Sequence, residues 1–198
     1  MIIMRNMILL TIILTLMISC ATSNEPSKKE IDFRSFYEKF NPLELPLKYD
    51  GKNGFDKNVK TNPLDSYSND SLFINFYGSP TIALGSYKDT SDFYTLIYYY
   101  IGDSFYFWVT TFDKSFNKIS DTLILSKEGC MPTICLECNT VINFSNDFTI
   151  NCIDTMNYLE CDELGNSTDE IAKSEILMKK LTIDKKGEIT ITETKNCP

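Results

Sequence analysis

The side chains here that could do chemistry are cysteines, carboxylates and tyrosines, because none of the 198 residues is histidine. That absence removes Ser-His-Asp and Cys-His catalysis, histidine-ligated zinc and histidine pH switching. There are seven cysteines: Cys20, Cys130, Cys135, Cys138, Cys152, Cys161 and Cys197. Cys135-Leu-Glu-Cys138 could be half of a zinc site completed by Cys152 and Cys161, but that second pair is spaced wrongly for one. A redox-active CxxC needs a helix N-terminus to lower its thiol pKa. Here the flanks, Pro132-Thr-Ile and Asn139-Thr-Val-Ile, read as loop and strand. The acid pairs Asp162-Glu163 and Asp169-Glu170 fall in a polar stretch, CDELGNSTDE, that reads as solvated loop rather than acid–base machinery. Asp56-x-Asn58-x-Lys60 begins like a calcium loop but lacks the glycine and the terminal acid such a loop requires. No metal site, cofactor or catalytic residue is expected, and the chain is not read as an enzyme.

The remaining candidate is aromatic. Tyr98-Tyr99-Tyr100 with Phe105, Phe107 and Trp108 could form a platform for sugar or peptide. Strand alternation divides these side chains between two faces. We expect Trp108, Tyr106 and Phe112 to face the core, which leaves Tyr99, Phe105 and Phe107 as the binding face.

The address comes from the first residues, MIIMRNMILLTIILTLMISCATSN. Arg5 precedes an apolar run, Met7 to Ile18. Such a run fits a signal-peptide core of about 7–15 residues and falls short of the about 20 that a spanning helix needs. Met17-Ile18-Ser19-Cys20 resembles the lipobox of bacterial lipoproteins, with methionine where leucine is usual. The resemblance implies removal of residues 1–19 and attachment of diacylglycerol to Cys20. Ala21, in place of an inner-membrane retention aspartate, implies an outer-membrane or cell-surface location. Two or more acyl chains, each buried methylene contributing about 0.8 kcal/mol, anchor a protein stably. Residues 20–30 then read as a lipidated tether and 31–198 as one domain. With Cys20 acylated, Cys130, Cys135, Cys138, Cys152, Cys161 and Cys197 become an even set in an oxidising compartment, and structural disulfides are the expectation.

Formal charge is −8 and no basic run occurs, which argues against nucleic acid or an anionic bilayer surface as a partner. Phe33, Phe36, Tyr37 and Phe40 recur at helical spacing, predicting a helix over 31–41 with Asp32 as N-cap. Residues 50–71 read as loop. From Leu72 onward short apolar runs alternate with Asp, Asn, Gly and Lys at hairpin spacing: 72–77, 81–87, 93–101, 105–112, 119–125, 140–144, 148–153, 176–183 and 188–192. Two turns echo each other, Phe112-Asp-Lys to Ile119 and Ile183-Asp-Lys-Lys-Gly-Glu-Ile189. The fold class is therefore mainly β, an antiparallel meander forming a sandwich or half-open barrel, with one short N-terminal helix.

The chain also resembles uncharacterised outer-membrane lipoproteins of bacteria. The pieces that carry this are Phe36–Phe40, Leu45-Pro-Leu47, Phe93–Phe112, Thr111–Ile119, Val141–Ile150 and Ile183–Ile189. The resemblance implies an architecture and an address, and no catalytic residues. Asp70-Ser71-Leu72, Asp121-Thr122-Leu123 and Asp154-Thr155-Met156 resemble an O-glycosylation signal of some of these bacteria, which implies Ser71, Thr122 and Thr155 as acceptors. The functional expectation is a non-catalytic binding or interaction module, lipid-anchored, with an unidentified protein or glycan partner. The alternative is an immunity or inhibitor lipoprotein against an exported toxin, with a carboxylate-based hydrolase third. The anchor is checked by Cys20→Ala: the variant should accumulate as unprocessed precursor and take up no labelled palmitate.

Overall fold

Apolar runs separated by turn-forming residues pair with their sequence neighbours, and two antiparallel sheets result. The structure, a computed structural model, describes residues 25–77, 80–87, 91–102, 105–124, 133, 135–162 and 166–196. The expected signal peptide, the lipidation site Cys20, and Cys130 and Cys197 lie outside the described residues. Five strands pair in chain order: β3 (Asn62–Leu64), β4 (Thr81–Ser86), β5 (Phe93–Ile101), β6 (Phe105–Asp113) and β7 (Lys118–Leu123). The second sheet is built from β8 (Leu136–Phe144), β9 (Thr149–Cys161), β10 (Ser167–Ile183) and β11 (Ile189–Asn196). It is extended on the β8 side by the early strands β1 (Leu47–Asp50) and β2 (Gly54–Phe55). The arrangement is sandwich-like and mainly β, as the pattern predicts.

One core lies between the sheets, where Leu84, Ile97, Tyr99, Phe107 and Val109 meet Tyr49, Ile142, Phe144, Ile150, Leu181 and Ile183. A second lies on the outer face of the five-stranded sheet, where Leu96, Tyr98 and Phe112 meet Phe33, Phe36 and Phe73. The β5–β6 hairpin is thus covered on both faces, which explains its unbroken apolar sequence. Gly85 lets residues 41–43 cross the sheet closely: a Cβ there would stand 2.6 Å from the Asn41 carbonyl oxygen.

Helix α1 spans Lys28–Tyr37, beginning three residues before the apolar stripe suggests. Ser27, not Asp32, is the N-cap, its Oγ accepting from the Glu30 N–H at 3.1 Å. The stripe itself holds: Phe33, Phe36 and Phe40 are all buried. Residues 72–77 are not a strand. A 3-10 turn (Asn69–Leu72) leads into irregular chain, because buried Asp70 draws the segment inward. Residues 50–71, read as loop, contain β2 and β3. The stretch CDELGNSTDE is not free loop either: β9 runs through Cys161 and β10 starts at Ser167. Bulges beside Ile171 blur the period there, and the polar residues conceal the strand.

The two echoing turns share their geometry with the β8–β9 turn. Asp113, Ser145 and Asp184 each donate their N–H to the carbonyl four residues on, at 2.9, 2.9 and 3.0 Å. The fourth residue of each turn has positive φ: Phe116 at 64°, Phe148 at 58° and Gly187 at 85°. Glycine is the residue of least strain there, and an L-residue costs about 1–2 kcal/mol. Gly187 has no room for more, since a Cβ would stand 2.7 Å from Ile119 Cδ1. The two phenylalanines are wedges instead. Phe116 stacks on Phe33 with centroids 4.8 Å apart, and Phe148 on Tyr87 at 4.9 Å.

The wedge account predicts an unusual order of stabilities at position 116. Phe116→Ala removes the ring and keeps the strained backbone, so it should cost about 3 kcal/mol. Phe116→Gly removes both and should be more stable than the alanine variant by about 1 kcal/mol. Chemical denaturation of the two variants measures the difference; alanine at or above glycine would show that the turn carries no strain.

Candidate functional site

The expected binding face is the wrong one. Phe107 is fully buried and Tyr99 nearly so, in the core between the sheets. Phe107 lies 4.8 Å from the Tyr49 ring and 5.3 Å from Tyr99. The six-stranded sheet covers that face, leaving only Phe105, at the start of β6, part-exposed. Phe112, expected in the core, is buried against the helix, whereas Trp108 and Tyr106 are only half-buried. The accessible aromatic surface is therefore the outer face of the five-stranded sheet.

That face carries stacked rings. Tyr77 lies flat on Trp108 at 4.5 Å and 8°, and Tyr98 follows at 6.5 Å and 11°. Tyr100 stacks on Tyr106 at 4.6 Å and 5°. Half-exposed Tyr77 also lines an open cleft of about 580 Å³ together with Phe76, Leu64, Asp65, Ser66, Tyr67 and Thr81. Tyr67 is 99% exposed.

The cleft is positioned by buried polar contacts. Asp70 accepts from Lys39 Nζ at 2.8 and 2.6 Å and from the Asp65 N–H at 2.8 Å. Asp65 in turn accepts from the Tyr67 N–H at 2.8 Å, fixing the backbone that presents the ring. Sequence reasoning missed Tyr67, Phe76 and Tyr77 because their segment was assigned to loop and strand. The one available signal was Tyr67 itself, a lone aromatic in the polar stretch Asp65-Ser-Tyr-Ser-Asn.

The cysteines divide differently from expectation. Cys135 and Cys161 form a disulfide with Cα atoms 6.1 Å apart, tying the start of β8 to the end of β9. Cys138 is also disulfide-bonded. Cys152 is not: it is a free thiol, 1% exposed. Strand alternation turns it into the core between the sheets, beside Ile142 across β8. Burial, reinforced by the neighbouring Asp154 carboxylate, pushes its pKa upward, so it stays a protonated thiol and a poor nucleophile.

The carboxylates serve structure. Asp162 accepts from the Asn166 N–H (2.8 Å) and side-chain amide (2.9 Å) across its turn. Glu175 is held below the usual carboxylate range by its hydrogen bonds to Lys173 and Lys195. Among the described residues, no group of three or more Asp, Glu, Cys or His could hold a metal ion. The three glycosylation-like tripeptides are not equivalent. Ser71 is exposed on the 3-10 turn, whereas Thr122 and Thr155 are half-buried on strands β7 and β9.

Burial also pushes up the phenols of Tyr87 and Tyr98, against an ordinary value of 10.0. A folded-state pKa above the unfolded one gives stability that is complete below the unfolded pKa and lost as pH rises. The protein should therefore lose stability above about pH 9, by up to about 1.4 kcal/mol per pH unit for each such group. Denaturant titrations at pH 7 and pH 10.5 check the sign. A thiol reagent with peptide mapping should label Cys152 only after unfolding; labelling in the native protein would overturn its placement.

Comparison with protein-family models, curated proteins and solved structures returned no match, so any functional reading rests on the geometry of the chain itself.

Proposed function

We propose that this protein is a lipid-anchored cell-envelope module that binds a neutral glycan, without transforming it, in the cleft between Tyr67 and Tyr77. The observation that carries the reading is the pairing of a fully exposed tyrosine with a half-exposed one whose ring is backed by Trp108. The Tyr77 ring, held against Trp108, presents a flat, weakly negative face on which the C–H face of a sugar can stack, with Tyr67 free to close on it from solvent. Asp65 and Ser66 beside them offer the acceptors and the hydroxyl that sugar O–H groups require. The formal charge of −8 disfavours polyanionic glycans and leaves neutral ones. Anchoring through Cys20 would place the module at the envelope surface, where such polymers are met.

Because Tyr77 stacks on the single tryptophan, occupancy of the cleft should alter Trp108 emission. Titration with a panel of neutral oligosaccharides, followed by fluorescence and calorimetry, should reveal saturable binding. Tyr67→Ala should leave stability unchanged, since that ring is solvent-exposed, and weaken binding about tenfold. Absence of binding across the panel would overturn the reading. A stoichiometric complex with an exported toxin that survives Tyr67→Ala would replace it with the inhibitor one.

A further inference from the structure

A second concavity shares no lining residue with the aromatic cleft. It lies where the first turns of α1, the end of the 3-10 turn and the β6–β7 turn converge, and encloses about 470 Å³. Small-molecule sites span roughly 300–1,000 Å³ with apolar walls and a few placed polar groups. The floor is apolar: Phe73 and Phe112 are buried, Phe116 is half-buried, and Leu72 stands 66% exposed at the edge.

The rim is basic, in a chain that is acidic overall. Lys28, Lys29 and Lys118 line the groove against a single carboxylate, Asp32. Asp32 is engaged, accepting from Asn69 Nδ2 at 2.8 Å. Lys118 is paired with Asp121 at 2.9 Å. Lys29 donates to the amide oxygen of Asn117 and stands within electrostatic reach of the Asp113 carboxylate, which Asn117 also contacts. Lys28 is exposed and has no ion pair among the described residues. The groove thus combines an apolar floor with two ammonium groups at one lip, of which Lys28 is the one without a carboxylate partner among the described residues.

We propose that this groove binds a small amphipathic monocarboxylate, such as a medium-chain fatty acid. The alkyl body would lie over Phe73, Phe112 and Phe116 and the carboxylate between Lys28 and Lys29. Charge complementarity selects the head group: an alcohol of the same chain would leave Lys28 unanswered, and an alkylammonium would be repelled by it. The site is independent of the proposed glycan cleft and stands or falls separately.

The test is calorimetric titration of the full chain with decanoate, 1-decanol and decyltrimethylammonium, all below micelle-forming concentrations. Decanoate should bind at one equivalent, about tenfold more tightly than decanol, with no binding of the ammonium compound. Lys28→Gln/Lys29→Gln alters two surface side chains and should abolish the preference for decanoate while leaving decanol affinity unchanged. Equal affinities for decanoate and decanol, or an unchanged preference in the double variant, would overturn the proposal. So would a protein that ignores decanoate yet binds phosphatidylglycerol vesicles through the same lysines, because the occupant would then be a bilayer surface.

Discussion

The contact on which both concave regions depend is the one between Asp70 and Lys39. Asp70 is 2% exposed, and its carboxylate is met by the Lys39 ammonium and by a backbone N–H. Burying a carboxylate without such partners would cost several kcal/mol, so the chain around it must keep them in place. That requirement turns residues 65–74 into a tight loop rather than the strand their apolar content suggests. The loop puts Tyr67 on one side and Leu72 and Phe73 on the other. A single satisfied charge therefore sets the walls of the aromatic cleft and of the lysine-rimmed groove.

The second constraint is that the β5–β6 hairpin buries both faces. Hairpins were legible in the sequence because turn residues interrupt apolar runs at regular intervals, and β4 to β11 largely fall where the pattern puts them. Which face looks outward was not legible. Alternation identifies an inner face only when the other face is polar, and Phe93–Ile101 and Phe105–Phe112 are apolar on both. Assigning Trp108 to the core and Phe107 to a binding face was therefore an even choice, and packing against Tyr49 decides it the other way for Phe107. The cleft residues were harder still. Tyr67 owes its position to a half-buried ion pair between residues 31 apart in sequence, and Tyr77 to stacking on Trp108, neither of which a local pattern encodes.

Cysteine parity failed for a related reason. Counting treats all thiols in an oxidising compartment as equivalent, whereas strand geometry does not. Cys135 and Cys161 lie at the ends of β8 and β9, where the sheet runs past the inter-sheet core and two side chains can meet. Cys152 lies mid-strand among Ile142, Ile150 and Leu181, and functions there as a small hydrophobe. Its position, not its chemistry, settles its fate.

The turns show the converse, where sequence similarity understates structural identity. Asp113-Lys-Ser-Phe-Asn, Ser145-Asn-Asp-Phe-Thr and Asp184-Lys-Lys-Gly-Glu share a backbone path although only the third has glycine at the left-handed position. The phenylalanines are tolerated because each ring gains an aromatic partner that a glycine would forgo. For Phe116 that partner is Phe33 on α1, which ties the β6–β7 turn to the helix. The floor of the basic groove is thereby assembled from three separate segments locked by ring contacts: Phe33 meets Phe73, Phe112 and Phe116 at 5.2, 5.1 and 4.8 Å. Phe73 belongs to the same Asp70-anchored segment that presents Tyr67. A movement of that segment large enough to reshape one concavity must therefore break either the Lys39–Asp70 pair or the Phe33–Phe73 contact. The same two contacts therefore tie the shape of one concavity to that of the other.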